Sequence, residues 1–237
     1  MLIPKKIYQT WKTKNLSEKL QNVRTRISQM NPDYEMILFD DNDIDVWIKE
    51  NFEEESNIYN VYKKLKVGAA RADFWRYLIL YKNGGVYLDI DSDICKPLSK
   101  LIRENDSAII SREKYSGTTF FIQWALFFAP QHPILLYTIN LCMYNILNKT
   151  SDWLPSLTGP GVFTIAVNHV LKKKFNFEKS KVANLFFYQD DGLNKIFNNV
   201  RFFGYDYNSY LKYDNGCKDD LLRDSTHWKN DKKIFAS

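Results

Sequence analysis

From Gly84 to Asp93 the chain reads Gly-Gly-Val-Tyr-Leu-Asp-Ile-Asp-Ser-Asp, alternating apolar and acidic residues with the period of a β-strand. Successive strand side chains point to opposite faces, so Val86, Leu88 and Ile90 are expected on one face and Tyr87, Asp89 and Asp91 on the other. Residues i and i+2 of a strand stand about 6.5–7 Å apart. Two carboxylates at that spacing can serve one hydrated divalent cation, or a cation and a ribose. The plainer alternative is a strand end whose acids are simply solvated.

Residues 67–83, just upstream, read as a mostly buried helix with small residues at Gly68, Ala69, Ala70 and Ala72, ended by Asn83 and Gly84 in the left-handed manner. Asp73 and Arg76 are three apart and share a helical face. In so apolar a helix that pair is either an internal salt bridge or the rim of a pocket. Because the helix runs through Gly84 and Gly85 into the acidic strand, both polar faces can meet at one cleft.

The remaining pattern is α/β. Lys5 to Gln9 reads as a strand, and Leu16, Leu20, Val23, Ile27 and Met30 form an apolar stripe at helical spacing, stopped by Asn31-Pro32-Asp33. Met36 to Phe39 is a short buried strand with Asp40 and Asp41 at its end, and Asn42 is expected to cap a helix carrying Ile44, Trp47 and Ile48. Further on, a helix is expected near Tyr59 to Leu65 and strands at 107–111 and 182–188. Helices are expected at 134–148 and 162–174, with an aromatic-rich buried segment at 119–128. Such alternation predicts a mostly parallel, Rossmann-like central sheet with helices on both faces, and ligands at the carboxyl ends of its strands. The length of 237 residues suits one domain, with an earlier half at about 1–95 and a later half at about 96–237.

Lys and Arg total 33 against 28 acids, a formal +5 that suits phosphate-bearing ligands or an anionic surface and is too mild to imply nucleic acid. Lys172, Lys173 and Lys174 read as the solvated end of a helix. Three widely spaced cysteines, Cys95, Cys142 and Cys217, argue for reduced thiols. With no signal pattern and no apolar run of about 18 residues, a soluble cytoplasmic protein is expected, peripheral membrane contact remaining open.

The run Ala72-Asp73-Phe74-Trp75-Arg76-Tyr77, followed by Tyr81-Lys82-Asn83-Gly84-Gly85-Val86-Tyr87-Leu88-Asp89-Ile90-Asp91, resembles the sugar-binding region of family 32 glycosyltransferases. These are relatives of the yeast outer-chain initiating mannosyltransferase and, distantly, of the clostridial glucosylating toxins. Residues 3–11 resemble the family's opening strand, Thr158-Gly159-Pro160-Gly161 its Thr-Gly-Pro turn and His227-Trp228 its closing pair. Gln123 stands where family members are expected to have Asn.

The resemblance implies a GT-A fold and a metal-dependent, retaining hexosyltransferase. Its donor would be GDP-mannose, UDP-glucose or UDP-galactose, and its acceptor a glycan, a lipid-linked group or a protein. Asp89 and Asp91 would carry the catalytic chemistry, Asp91 as direct ligand of Mn²⁺ or Mg²⁺ and Asp89 on the ribose, reaching the metal through water. Asp73, Arg76 and Tyr87 would hold the donor, Trp11 would stack on the base, His227 would complete the metal shell and Trp228 would cover the diphosphate.

Two readings from other classes stand beside it. One is a haloacid-dehalogenase-like phosphatase with Asp89 as nucleophile and Asp190-Asp191 as its later acidic pair, although Asp93 stands where that motif has Thr or Val. The other is a non-catalytic sugar-nucleotide-binding protein. A calcium loop through Asp89, Asp91 and Asp93 is excluded, because an EF-hand needs Gly at its sixth position and Glu at its twelfth, here Ile94 and Lys100.

Overall fold

The computed structural model describes residues 1–52, 57–112, 120–171, 199–203, 209–213, 216–217 and 234–235. Within them a six-stranded sheet runs in the order β2-β1-β3-β6-β5-β7. β1 (Lys6–Thr10), β2 (Glu35–Phe39) and β3 (Gly85–Leu88) are mutually parallel, as are β5 (Ala108–Ser111) and β7 (Val200–Phe203). β6 (Ala125–Phe128) runs against both its neighbours. A separate antiparallel pair joins β4 (Asp93–Ile94) to β8 (Leu211–Lys212). The strand expected at 182–188 lies outside the described residues.

Period-two alternation divides the core. Tyr8, Tyr87, Leu126, Phe128 and Ile110 face one apolar cluster, and Ile7, Val86, Leu88, Phe127 and Ile109 face the other. The first cluster is covered by α2 (Asp41–Phe52), α3 (Ile58–Tyr62), α4 (Gly68–Asn83), α6 (Pro133–Asn148) and α8 (Pro160–Val170), and the second by α1 (Glu18–Met30) and α5 (Leu98–Leu101). Both faces of the sheet therefore carry helices, as the apolar strands require.

Two expectations of local structure are corrected. Asp40 rather than Asn42 stands at the start of α2, where it exchanges reciprocal bonds with Asp43: each backbone N–H donates to the other's carboxylate at 2.9–3.0 Å. β3 stops at Leu88, so Asp89 and Asp91 sit in a turn and not in the strand. The Asp89 N–H makes its bond to Trp124 O at 2.8 Å, and Ser92 N–H closes the turn on Asp89 O at 3.0 Å. Ile90 accordingly leaves the Val86/Leu88 face and joins a third cluster with Leu16, Leu20 and Cys217.

The glycines between α4 and β3 are required by space and conformation. Gly84 has φ 63° and Gly85 φ 106°, and an added Cβ would stand 2.7 Å from Pro130 at the first and 2.8 Å from the Lys6 carbonyl at the second. This tight exit from α4 aims β3 back along the sheet, bringing Asp89 beside the helix that precedes it.

Candidate active site

α4 is buried along most of its length, so its two buried charged residues, Asp73 and Arg76, must find partners inside the protein. Arg76 finds two carboxylates. Its Nη2 lies 3.2 Å from Asp73 Oδ1 and 3.1 Å from Asp89 Oδ1, while Nη1 donates to Gln123 O at 3.0 Å and Nε to Ala72 O at 3.3 Å. The guanidinium also lies 4.5 Å from the centre of the Tyr87 ring, whose hydroxyl donates to Asp89 Oδ1 at 2.8 Å. Tyr87 and Asp89 thus share a side, and the helical and acidic polar faces do meet.

Asp73 is held from the other direction. Gln123 Nε2 donates to its Oδ1 at 2.8 Å and the Thr158 hydroxyl to its Oδ2 at 3.1 Å. The Tyr77 hydroxyl donates to Gln123 Oε1, which fixes the amide. Topology explains the reach of Gln123: β6 is antiparallel, so its amino end lies beside the carboxyl end of β3 through the Leu88–Ala125 pairing. Thr158 arrives from the turn between α7 (Leu154–Leu157) and α8.

Burial pushes the Asp73 carboxyl up to about 6, outweighing the opposite pull of Arg76. Burial alone would lower Arg76, but Asp89, Tyr87 and Asp73 more than offset it and keep the guanidinium charged. The Tyr87 and Tyr77 hydroxyls are pushed well up by burial and stay protonated donors.

Other predicted residues fall around this network. Trp11 follows β1, bonds through its N–H to Phe39 O at 3.1 Å and packs in the cluster that contains Ile90, which sets it next to the acidic turn. Gln9, on β1, donates to Asp89 O at 3.3 Å. Asp91 is half-buried in the turn, and Asp93 is bound to Arg26 and to Ile94 N–H, which makes it a structural residue of β4. His132 Nδ1 accepts from Ile134 N–H at 3.3 Å at the start of α6. His227, Trp228 and the Asp190-Asp191 pair lie outside the described residues.

Sequence reasoning singled out Gln123 and Thr158 without placing either on Asp73. Gln9 and Tyr77 lie within the runs that carry the resemblance but were given no role, because an amide in a strand and a tyrosine in an apolar helix are ordinary core residues.

The donors suit a hard divalent cation. Arg76 and Tyr87 both engage Asp89 Oδ1, which orients the carboxylate and leaves Oδ2 for a ligand, and the side chain is 26% exposed. Among the described residues no group of three or more His, Cys, Asp or Glu forms a metal cage. One or two carboxylates completed by substrate phosphates and water are what Mg²⁺ and Mn²⁺ commonly use.

The mostly parallel six-stranded sheet with helices on both faces is consistent with a GT-A-like α/β fold. Residues 17–108 match the family described as "Glycosyltransferase sugar-binding region containing DXD motif". The chain is 27% identical over 219 residues to an initiation-specific alpha-1,6-mannosyltransferase of Candida albicans, covering 75% of this chain and 57% of that one. Over 138 residues it is 34% identical to inositol phosphoceramide mannosyltransferase 3 of Schizosaccharomyces pombe, covering 58% and 36%. The chain spans about half the length of the curated relatives it matches. Among solved structures, the PaToxG glycosyltransferase shares the fold at a TM-score of 0.55 and 24% identity, covering 70% of this chain and 69% of that one. No helix among the described residues is long and apolar enough to cross a membrane.

Proposed function

We propose that this chain is a metal-dependent, retaining hexosyltransferase that moves a hexose from a nucleotide-diphosphate sugar, mannose from GDP-mannose before glucose or galactose from their UDP-sugars, to a glycan, lipid-linked or protein acceptor. The observation that carries the reading is Arg76 held between Asp73 and Asp89, which joins the sugar-facing helix to the acidic turn. The mannosyltransferase names of the relatives favour mannose.

In this reading Asp73 and Arg76 bind the hydroxyls of the donor sugar. Asp89, oriented by Tyr87, accepts from the ribose, and Trp11 stacks on the base. Asp91 and Asp89, with His227 and Trp228 from the closing segment, hold Mn²⁺ or Mg²⁺ and the diphosphate. A cation held there would supply neutralisation of the charge that develops on the leaving diphosphate. Residues 1–95 would form the donor half and 96–237 the acceptor half of one domain, in keeping with a sheet that runs unbroken from β3 to β6.

Purified protein incubated with a panel of nucleotide sugars, each with Mn²⁺, Mg²⁺ or chelator, is expected to hydrolyse GDP-mannose slowly and only with metal. Tight donor binding without turnover would point to the non-catalytic alternative, a trapped phospho-aspartate at Asp89 to the phosphatase. If no sugar nucleotide is bound or cleaved, the transferase reading fails.

A further inference from the structure

α6 is sixteen residues long and none of them is charged. One side packs into the core through Ile134, Leu135, Thr138, Ile139, Cys142 and Ile146. The opposite side is where a helix of a water-soluble domain normally carries its charges. Here it presents Leu136, Tyr144 and Leu147, which at 100° per residue fall within about 80° of one another and are 40–60% exposed, with the exposed, uncharged Asn140 among them. Tyr137 stacks on His169 of α8 with ring centres 4.1 Å apart, and Ile165, one turn before His169, adds a fourth exposed apolar side chain on that side. Exposed apolar residues scattered singly need no explanation, but a cluster on two packed helices does.

The margin of this face is basic. Lys149 ends α6 and its ammonium lies 5.5 Å from the Phe235 ring. Phe235 bridges to Leu65, and Lys66 N–H donates to Ile234 O at 2.7 Å, so Lys64 and Lys66 flank the same strip of chain. All three lysines are exposed, and none pairs with a carboxylate among the described residues. From Pro133 to Val170 the sequence contains one acid, Asp152, in the loop that leaves α6.

We propose that the outer face of α6, with the lysines at its carboxyl end, docks the protein on the surface of an anionic lipid bilayer. Leucines and a tyrosine without charge suit the acyl–headgroup boundary, where an amphipathic ring has one apolar end and one wet end. The lysine margin supplies the attraction that an uncharged face lacks. Docking on a bilayer surface does not depend on the proposed transferase activity.

The test is sedimentation of the full chain with vesicles of phosphatidylcholine alone and of phosphatidylcholine with about 30% phosphatidylserine, an anionic surface of the kind polybasic segments bind. Binding is expected to the anionic vesicles, weakening as salt rises. The double variant Leu136→Gln/Leu147→Gln should lose it with an unchanged melting temperature. Replacing Lys64, Lys66 and Lys149 together by Gln should weaken it on the order of 100-fold. Absence of wild-type binding, or equal binding by the leucine variant, would overturn the proposal. So would a leucine variant that melts lower or passes from dimer to monomer, since the face would then be covered by this chain's own residues or by a second copy.

Discussion

The guanidinium of Arg76 lies 3.1 Å from the carboxylate of Asp89, although a helix end, two glycines and a strand separate the two residues in sequence. The same nitrogen lies 3.2 Å from Asp73, so one buried cation serves two carboxylates. Such an arrangement is a structural ion pair, and in the proposed reading it is also the ligand site for the donor sugar.

If Asp73 and Arg76 bind donor hydroxyls, Asp73→Asn should weaken the nucleotide sugar while leaving the free nucleoside diphosphate unchanged. Each lost charge-assisted bond is worth about 1.5–3 kcal/mol, or roughly 10- to 150-fold in affinity. Calorimetric titration with both ligands measures it. Arg76→Ala leaves Asp73 buried without its cation and should also lower stability by about 3–5 kcal/mol. Equal losses for both ligands would return the pair to a purely structural role.

Asp91→Ala should abolish donor hydrolysis and transfer while the protein melts normally. Asp91 sits in a turn beyond the last residue of β3, so the strand and its two buried faces do not depend on it. Near-normal turnover at saturating Mn²⁺ would remove Asp91 from the metal site, and full activity in excess chelator would remove the cation from the reaction.

Gln123 bridges Asp73 and Tyr77 through one amide. Replacement by Leu leaves a buried carboxylate oxygen and a buried hydroxyl each one partner short, which costs about 1–3 kcal/mol per group. The expected signature is a raised KM for the nucleotide sugar together with a lower melting temperature. Asn, one methylene shorter, should restore only part of either. An unchanged KM in the Leu variant would mean that Gln123 supports the fold without positioning the sugar site.

The alternation of Val86, Tyr87 and Leu88 announced a two-faced buried strand, and the spacing of Asp73 and Arg76 announced a shared polar face on a buried helix. Both patterns follow from periods of 2.0 and 3.6 residues, which is why they were legible. The end of β3 was not, since a strand stops where its hydrogen-bonding partner turns away, and that partner is β6, some forty residues further on. Thr158 was obscured for a related reason: its bond to Asp73 spans 85 positions of sequence and is decided by how α8 packs on α6. Gln123 was visible as a departure from an expected Asn, but only the reversed direction of β6 shows why an amide there reaches Asp73.

Two buried groups predict opposite dependences of stability on pH. Burial lowers His132 from 6.5 to about 3, and its Nδ1 accepts from Ile134 N–H, so the folded protein binds the neutral ring. The unfolded chain takes up a proton first, and stability present above pH 6.5 is therefore lost as pH falls from there toward 3, by about 1.4 kcal/mol per unit. Asp73 works the other way. Its carboxyl is raised from 3.8 to about 6, so its contribution is present below 3.8 and is lost as pH rises through 6. The two slopes oppose each other between about 4 and 6, and wild-type melting alone cannot separate them. His132→Asn keeps an acceptor at the start of α6 and should flatten the acid limb. Relative to wild type, Asp73→Asn should become progressively more stable as pH rises from about 4 to 6. Denaturant melts at intervals of pH measure both differences, and an acid limb that survives in His132→Asn would mean another group carries it.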